Sequence, residues 1–331
     1  MDAKHAVAGL VVVVAIATGA LLLLSSEPTS SPGNREVSHP GPVYEGFTFL
    51  GRETFTCGGQ THTVEVYRCR AFAQALGLAP NATEPACEFV RLPGGTFTMG
   101  SPADERNRGD DEAQRDVTLQ PFLVSRTEVT QAVWEAVTGI NCSWHAHVGP
   151  RNPVSQPDWN RVVGDAVPEG GFLGNSGVPG LRLPSEAEWE YACRAGTTTA
   201  FAFGPTITSE QLHTSGARLY GWDDDTMLMG PVPVASFPPN AFGLFDMHGN
   251  VAEWVQDEYG PYAESPTNGS ARDPSATEPR TFNNVERVVR GGGWDSQPFT
   301  MNGTRFTCRS AEREKSDEWS QRIGFRVAVS N

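Results

Sequence analysis

Positive charge is scarce in this chain. Lys and Arg total 25 against 39 Asp and Glu, for a formal net charge of −14. Nucleic-acid binding needs a basic face to neutralise phosphates, so the composition excludes a nucleic-acid partner. An acidic balance suits calcium instead. The sequence has no G-x-x-x-x-G-K-[ST] loop, no G-x-G-x-x-G fingerprint and no G-x-S-x-G elbow. Those absences remove nucleotide-cradling loops and elbow-type serine hydrolases. No internal repeat appears, which argues against a solenoid. Cysteine is limited to six residues, and none stands directly after the N-terminal apolar run, so a lipoprotein anchor is excluded.

What is present supports a folded body. The chain has 331 residues, 38% of them apolar, with 35 glycines and 25 prolines. That is enough for a sizeable core in which loops and turns outweigh long helices. Residues Ala6 to Leu24, AVAGLVVVVAIATGALLLL, carry no charge. Nineteen helical residues reach about 28 Å, close to the thickness of a bilayer core. The run predicts a membrane-spanning signal anchor, or a signal peptide that is cleaved, within residues 1–25. Lys4 and the amino terminus favour an inside N-terminus. Either way the body lies outside the cytoplasm: membrane-anchored, or secreted or periplasmic if the segment is cleaved. An even cysteine count suits that compartment.

Residues 26–45, rich in Ser and Pro, read as a flexible tether. Residues 46–87 alternate like a hairpin turning at Gly58-Gly59. Cys57, Cys69 and Cys87 make this a disulfide-pinned appendage, in preference to a metal site on Cys57 and His62. From residue 88 to 331 the texture changes to short strands, Pro-Gly turns and few helices. Val129, Val133, Ala136 and Val137 space one amphipathic helix that Gly139 closes. The clearest helix begins at LPSEAEWEYACRAG, with Ser185 as N-cap and Glu188 at N3, a capping box. Glu186 and Arg194 complement the helix dipole. Trp189, Ala192 and Cys193 share its core face. In CSWHAH, His145 and His147 alternate, but the cysteine spacing matches no common zinc pattern. Asn81, Asn141, Asn268 and Asn302 open N-x-S/T sequons.

Four stretches in order, GGTFTMGSPADERNRGDDEAQRDVTL, LRLPSEAEWEYACRAG, FPPNAFGLFDMHGNVAEW and RVVRGGGWDS…CRSAER with GFRVAV near the end, resemble the formylglycine-generating enzyme, or sulfatase-modifying factor, family. The resemblance covers about Glu88 to Val329. It implies one compact α+β domain related to the C-type lectin fold, with much irregular structure. The family's founding members oxidise a sulfatase cysteine to formylglycine with oxygen and a copper ion, held by two thiolates just after an RGGS motif. Soft Cu(I) prefers such thiolates. Counted from the Arg-Gly-Gly side, those positions are Ser296 and Met301 here. Counted back from Cys308, they fall near Pro298 and Gly303. Neither register supplies a cysteine. The RGGS serine is Gly293, and a tryptophan of active members is Ala252. Copper is therefore not expected.

The resemblance also pairs Cys193 with Cys308 as a structural disulfide, and sets a structural calcium on Asp246, Gly249, Val251 and Glu253. Carboxylates and turn carbonyls are the oxygen donors calcium takes. A second calcium site would fall near Asp223, Asp224 and Asp225, where the usual aspartate is Thr226. His248, alone in a Gly-flanked turn, reads as polar surface. Two functions follow from these residues. The first is a non-catalytic binding or accessory module for a protein, peptide or glycan, tied to the membrane by its N-terminal helix. Its contacts would come from Trp294, Asp295, Gln297, Phe299 and Asn302. The alternative is an oxidoreductase of the formylglycine-generating type that acts on a thiol substrate through a non-standard site.

Overall fold

A computed structural model describes residues 35–36, 41–143, 148–164, 171–214, 230–272, 286–296, 308–316 and 320–330. The architecture is α+β. The first sheet has six strands in the order β1-β2-β3-β6-β12-β7. It is built from β1 (Phe47–Cys57), β2 (Gln60–Cys69), β3 (Glu88–Leu92), β6 (Phe122–Ser125), β7 (Leu181–Arg182) and β12 (Ala328–Ser330). The hairpin patterned around Gly58-Gly59 forms, with Cys57 opposite Gln60. Its second strand pairs along β3, placing Val66 opposite Val90. A two-stranded sheet holds β4 (Gly95–Met99) and β5 (Arg115–Leu119). A four-stranded sheet runs β10-β9-β8-β11, from β8 (Ala252–Glu258), β9 (Arg287–Arg290), β10 (Arg313–Ser316) and β11 (Ile323–Phe325). Within it β11 runs parallel to β8.

Among the described residues, five α-helices of five to nine residues join these sheets: α1 (Arg70–Ala75), α2 (Gln131–Thr138), α3 (Trp159–Val163), α4 (Gly171–Asn175) and α5 (Glu186–Arg194). Helix α2 is capped by Thr130 and closed by Gly139. Its buried face differs from the expected valine stripe. Ala136 is exposed, whereas Trp134 is buried and stacks on Phe172 of α4 at 5.5 Å. Helix α5 keeps the capping box, with Ser185 Oγ accepting from Glu188 N and Glu188 reaching back to Ser185 N. Trp189, Ala192 and Cys193 are buried as expected.

The charges of α5 do more than complement its dipole. Glu186 accepts a fork from Arg313 of β10, both bonds 2.8 Å. Glu190 is buried and accepts from Arg194 at 2.8 Å, from Gly100 N at 2.8 Å and from Arg290 of β9 at 2.5 Å. Arg290 also donates to the carbonyls of Ser310 and Ala311. One helix thus ties together both strands β9 and β10, the end of β4 and the segment after Cys308.

Two expectations are corrected. Among the described residues no helix is long and apolar enough to cross a membrane; the Ala6 to Leu24 run lies outside the described residues. No disulfide forms either, and all six cysteines are free. Cys193 and Cys308 are both buried, but the Cys193 thiol faces the His248 ring, 3.7 Å from Nε2. Cys308 meets the same ring through its carbonyl, which accepts from Nδ1 at 2.7 Å. Burial pushes the Cys193 thiol up to about 12 and that of Cys308 higher still, so both stay protonated and unreactive. Cys57 donates to Ala202 O at 3.4 Å, and His62 bonds Ala195 O at 3.1 Å, so this pair closes loops around the end of α5.

His248 is not surface. It is buried, and its Nε2 accepts from Ala202 N at 3.0 Å. With Nδ1 donating to Cys308 O, one neutral tautomer is fixed. Burial, foremost, lowers its pKa to about 4. The unfolded chain takes up this proton near pH 6.5, and the folded chain refuses it until about pH 4. Stability from this group is therefore complete above pH 6.5 and is lost as pH falls through that window, by on the order of 3 kcal/mol. In thermal melts between pH 7 and 4.5, wild type should lose more stability than His248→Gln. Parallel pH profiles would refute the assignment.

Candidate functional site

The RGGG segment leaves β9 and turns against the DMHGN turn that precedes β8. Gly249 N donates to Gly291 O at 2.9 Å, and Trp294 N donates to Asn250 O at 2.6 Å. The DMHGN turn needs its glycine: Gly249 has φ +91°, and a Cβ there would sit 2.4 Å from His213 O. Asp246 and Asn250 also take positive φ, as short polar side chains can.

Ser296, the first position that the resemblance gives to a copper thiolate, is buried. Its hydroxyl accepts from Gly293 N at 2.8 Å, its N–H donates to Gly293 O at 2.9 Å, and its carbonyl accepts from Thr214 Oγ1. The residue closes a tight turn and offers a hydroxyl in place of the thiolate that soft copper prefers. Trp294 is half-buried and donates to Gln321 O at 3.4 Å, while Asp295 is exposed. Gln297, Phe299, Met301 and Asn302 lie outside the described residues, as do His145, His147 and residues 223–226. Among the described residues no group of three or more His, Cys, Asp or Glu side chains is arranged to hold a metal ion. With the thiol pair missing from the sequence, a copper centre of the family type has no ligands here.

Of the calcium quartet, the structure brings Asp246 and Glu253 into one buried cluster with Glu128 and Arg326. The donor set suits calcium only in part. Glu253 is saturated: Arg326 Nε and Nη2 donate to it at 2.7–2.9 Å, and Trp189 Nε1 donates at 2.6 Å. Asp246 accepts from Ala235 N through one oxygen, at 2.7 Å. Both carboxyl oxygens of Glu128 lack an N–H or O–H donor. They face Asp246, with which they hydrogen bond only when a proton is shared. Burial raises both pKa values, that of Asp246 to about 6. Glu128 and Arg326 were not singled out from the sequence, although a lone arginine inside the apolar GFRVAV run is a signal that a buried acid awaits it.

Comparison with known proteins agrees with this geometry. Residues 75–331 match the family described as "Sulfatase-modifying factor enzyme 1-like domain". The formylglycine-generating enzyme of Thermomonospora curvata is 30% identical, over 74% of this chain and 94% of its own length. The mouse protein called "Inactive C-alpha-formylglycine-generating enzyme 2" is 28% identical, over 76% of this chain and 87% of its own. The solved structure of PvdO from Pseudomonas aeruginosa superposes with a TM-score of 0.59 and 32% identity, covering 76% of this chain and all of that one. A shared frame from Ala75 to the C-terminus, with a serine turn where the thiolate would stand, places this chain in the sulfatase-modifying factor family as a member without the copper-binding cysteine pair.

Proposed function

We propose that the chain is a non-catalytic binding or accessory domain that acts outside the cytoplasm on a protein, peptide or glycan. The observation that carries this reading is Ser296. The position that would hold the metal is spent on closing a turn, through three hydrogen bonds to protein partners. A location outside the cytoplasm fits the family. The recognition surface in this reading begins at Trp294 and Asp295 and continues through Gln297, Phe299 and Asn302, on a frame related to the C-type lectin fold. A rigid scaffold that ends in surface loops is a common host for binding sites. Incubation with a sulfatase-motif peptide, oxygen and copper should yield no aldehyde by mass spectrometry. An aldehyde product would show that oxidation proceeds without the thiol pair and would overturn the reading.

A structural calcium belongs to the proposal, with its donors redistributed. Three carboxylates, Glu128, Asp246 and Glu253, face one guanidinium, Arg326. A divalent cation beside Asp246 and Glu128 would offset the remaining charge, with the Gly249 and Val251 carbonyls as further oxygen donors. Glu253 would stay with Arg326 and contribute little. Chelation should therefore lower the melting temperature of wild type, and Asp246→Asn should abolish that shift. Glu253→Gln should cost about 3–5 kcal/mol with or without calcium, because it strands a buried arginine. Thermal melts with calcium and with chelator read both. An unchanged wild-type melting temperature removes calcium from the account.

A further inference from the structure

Beside the start of α5 lies an open groove of about 370 Å³, which shares no residue with the Gly291–Ser296 turn. One wall is the Asn268–Ala271 segment, and three elements hold it and its flanking residues in place. Thr118 N of β5 donates to Thr267 O at 2.9 Å, Ser185 Oγ donates to Gly269 O at 2.7 Å, and Arg272 N donates to Asp257 of β8 at 2.7 Å. Gly269 takes φ +77°, and a Cβ there would lie 2.1 Å from Leu119 Cδ2. Glycine lets the turn lie flat on that leucine. The backbone of the wall is thus preformed, so a ligand has only side chains to order.

The groove mixes polar and apolar surface and carries no net charge. Arg182 forks onto Glu188 at 2.6 and 2.7 Å and donates Nε to Ser330 Oγ at 3.0 Å, so its charge is cancelled in place. The carboxamides of Gln120 and Gln256 line the groove and have no hydrogen-bond partner among the described residues. Asn268 spends its Oδ1 on Ser270 N and Oγ and keeps its amide N–H groups for the groove. Apolar contact is confined to Leu119 and Ala271, with no aromatic ring in the lining.

These properties select a ligand. A neutralised Arg–Glu fork favours neither phosphate nor a cation. Polar and apolar surface are about equal in the lining, which suits a sugar ring, with hydroxyls on its edge and C–H groups on its faces, better than a wholly apolar side chain. A carboxamide presents an acceptor and two donors side by side, which complements adjacent hydroxyls that each donate and accept. The volume is at the small end of ligand pockets, enough for one or two sugar units. We propose that this groove binds a neutral saccharide through Gln120, Gln256 and Asn268. The inference rests on the reading of the chain as a binding domain and assigns that domain a site and a ligand class.

N-acetylglucosamine and maltose, each titrated into the full-length protein to about 50 mM, test it by ligand-observed NMR. Saturable binding in the millimolar range is expected for so small a contact. It should weaken at least about tenfold in Gln256→Leu, which keeps the shape and removes the amide. Ser270→Phe, on the exposed turn at the mouth, should block it as well and serves if the first variant folds poorly. Absence of saturable binding by both sugars, or binding that both variants leave unchanged, overturns the proposal. So does tighter binding of glucose 6-phosphate than of either neutral sugar. Aldehyde formation on the sulfatase-motif peptide would sink the non-catalytic reading by a separate route, so the two failures are distinguishable.

Discussion

The buried carboxylates of α5 are the constraint on which the rest of the structure depends. Removing Glu186 and Glu190 from water is expensive, and their attraction to arginine offsets that cost only when every remaining lone pair and N–H finds a partner. Here most do. Glu190 accepts from Arg194, Arg290 and Gly100 N, and Arg290 spends further donors on the Ser310 and Ala311 carbonyls. The network therefore dictates where β9, β10 and the end of β4 sit relative to one helix. It also dictates where β9 releases the chain into the Gly291–Ser296 turn. Moving that turn would strand at least one buried charge.

Glu253 and Arg326 repeat the device at the centre of the molecule. Glu253 sits on β8, while Arg326 follows β11 and precedes β12, and so stands where two sheets meet. Its guanidinium fills Glu253 on one side and donates to Phe245 O and Ser125 O on the other. Arginine suits this role because its planar fork meets a carboxylate and still has donors left for carbonyls. The same fork changes how the expected calcium site works, because a carboxylate already matched to a guanidinium has little left for a cation.

How far the sequence revealed this structure depended on how local each interaction is. Helix α5 was legible, since its capping box and core face all lie within ten positions. The Gly58-Gly59 hairpin was legible for the same reason. What stayed hidden was set by distant partners. Trp134 is buried because Phe172 stacks on it, and nothing in the α2 spacing announces that. His248 looked like surface because its two hydrogen bonds go to Ala202 N and Cys308 O, loops brought together only by the fold. Glu186 was read as a dipole partner, whereas the arginines it binds, Arg290 and Arg313, lie more than 100 positions away. The candidate site divided in the same way: the absence of thiols was plain in the sequence, and the saturation of Glu253 was not.

This division explains how the family's frame persists without its metal. A site whose geometry depended on a bound ion would collapse when the ligands were lost, as small metal-dependent domains do. Here the turn that would present the thiolate is held by other means. Ser296 closes it through Gly293 and Thr214, Asn250 anchors it through Trp294 N, and the α5 network fixes the strand that feeds it. None of these contacts involves sulfur or a metal. Loss of the cysteine pair therefore removes the thiolate ligands of the family's copper centre and leaves the scaffold intact.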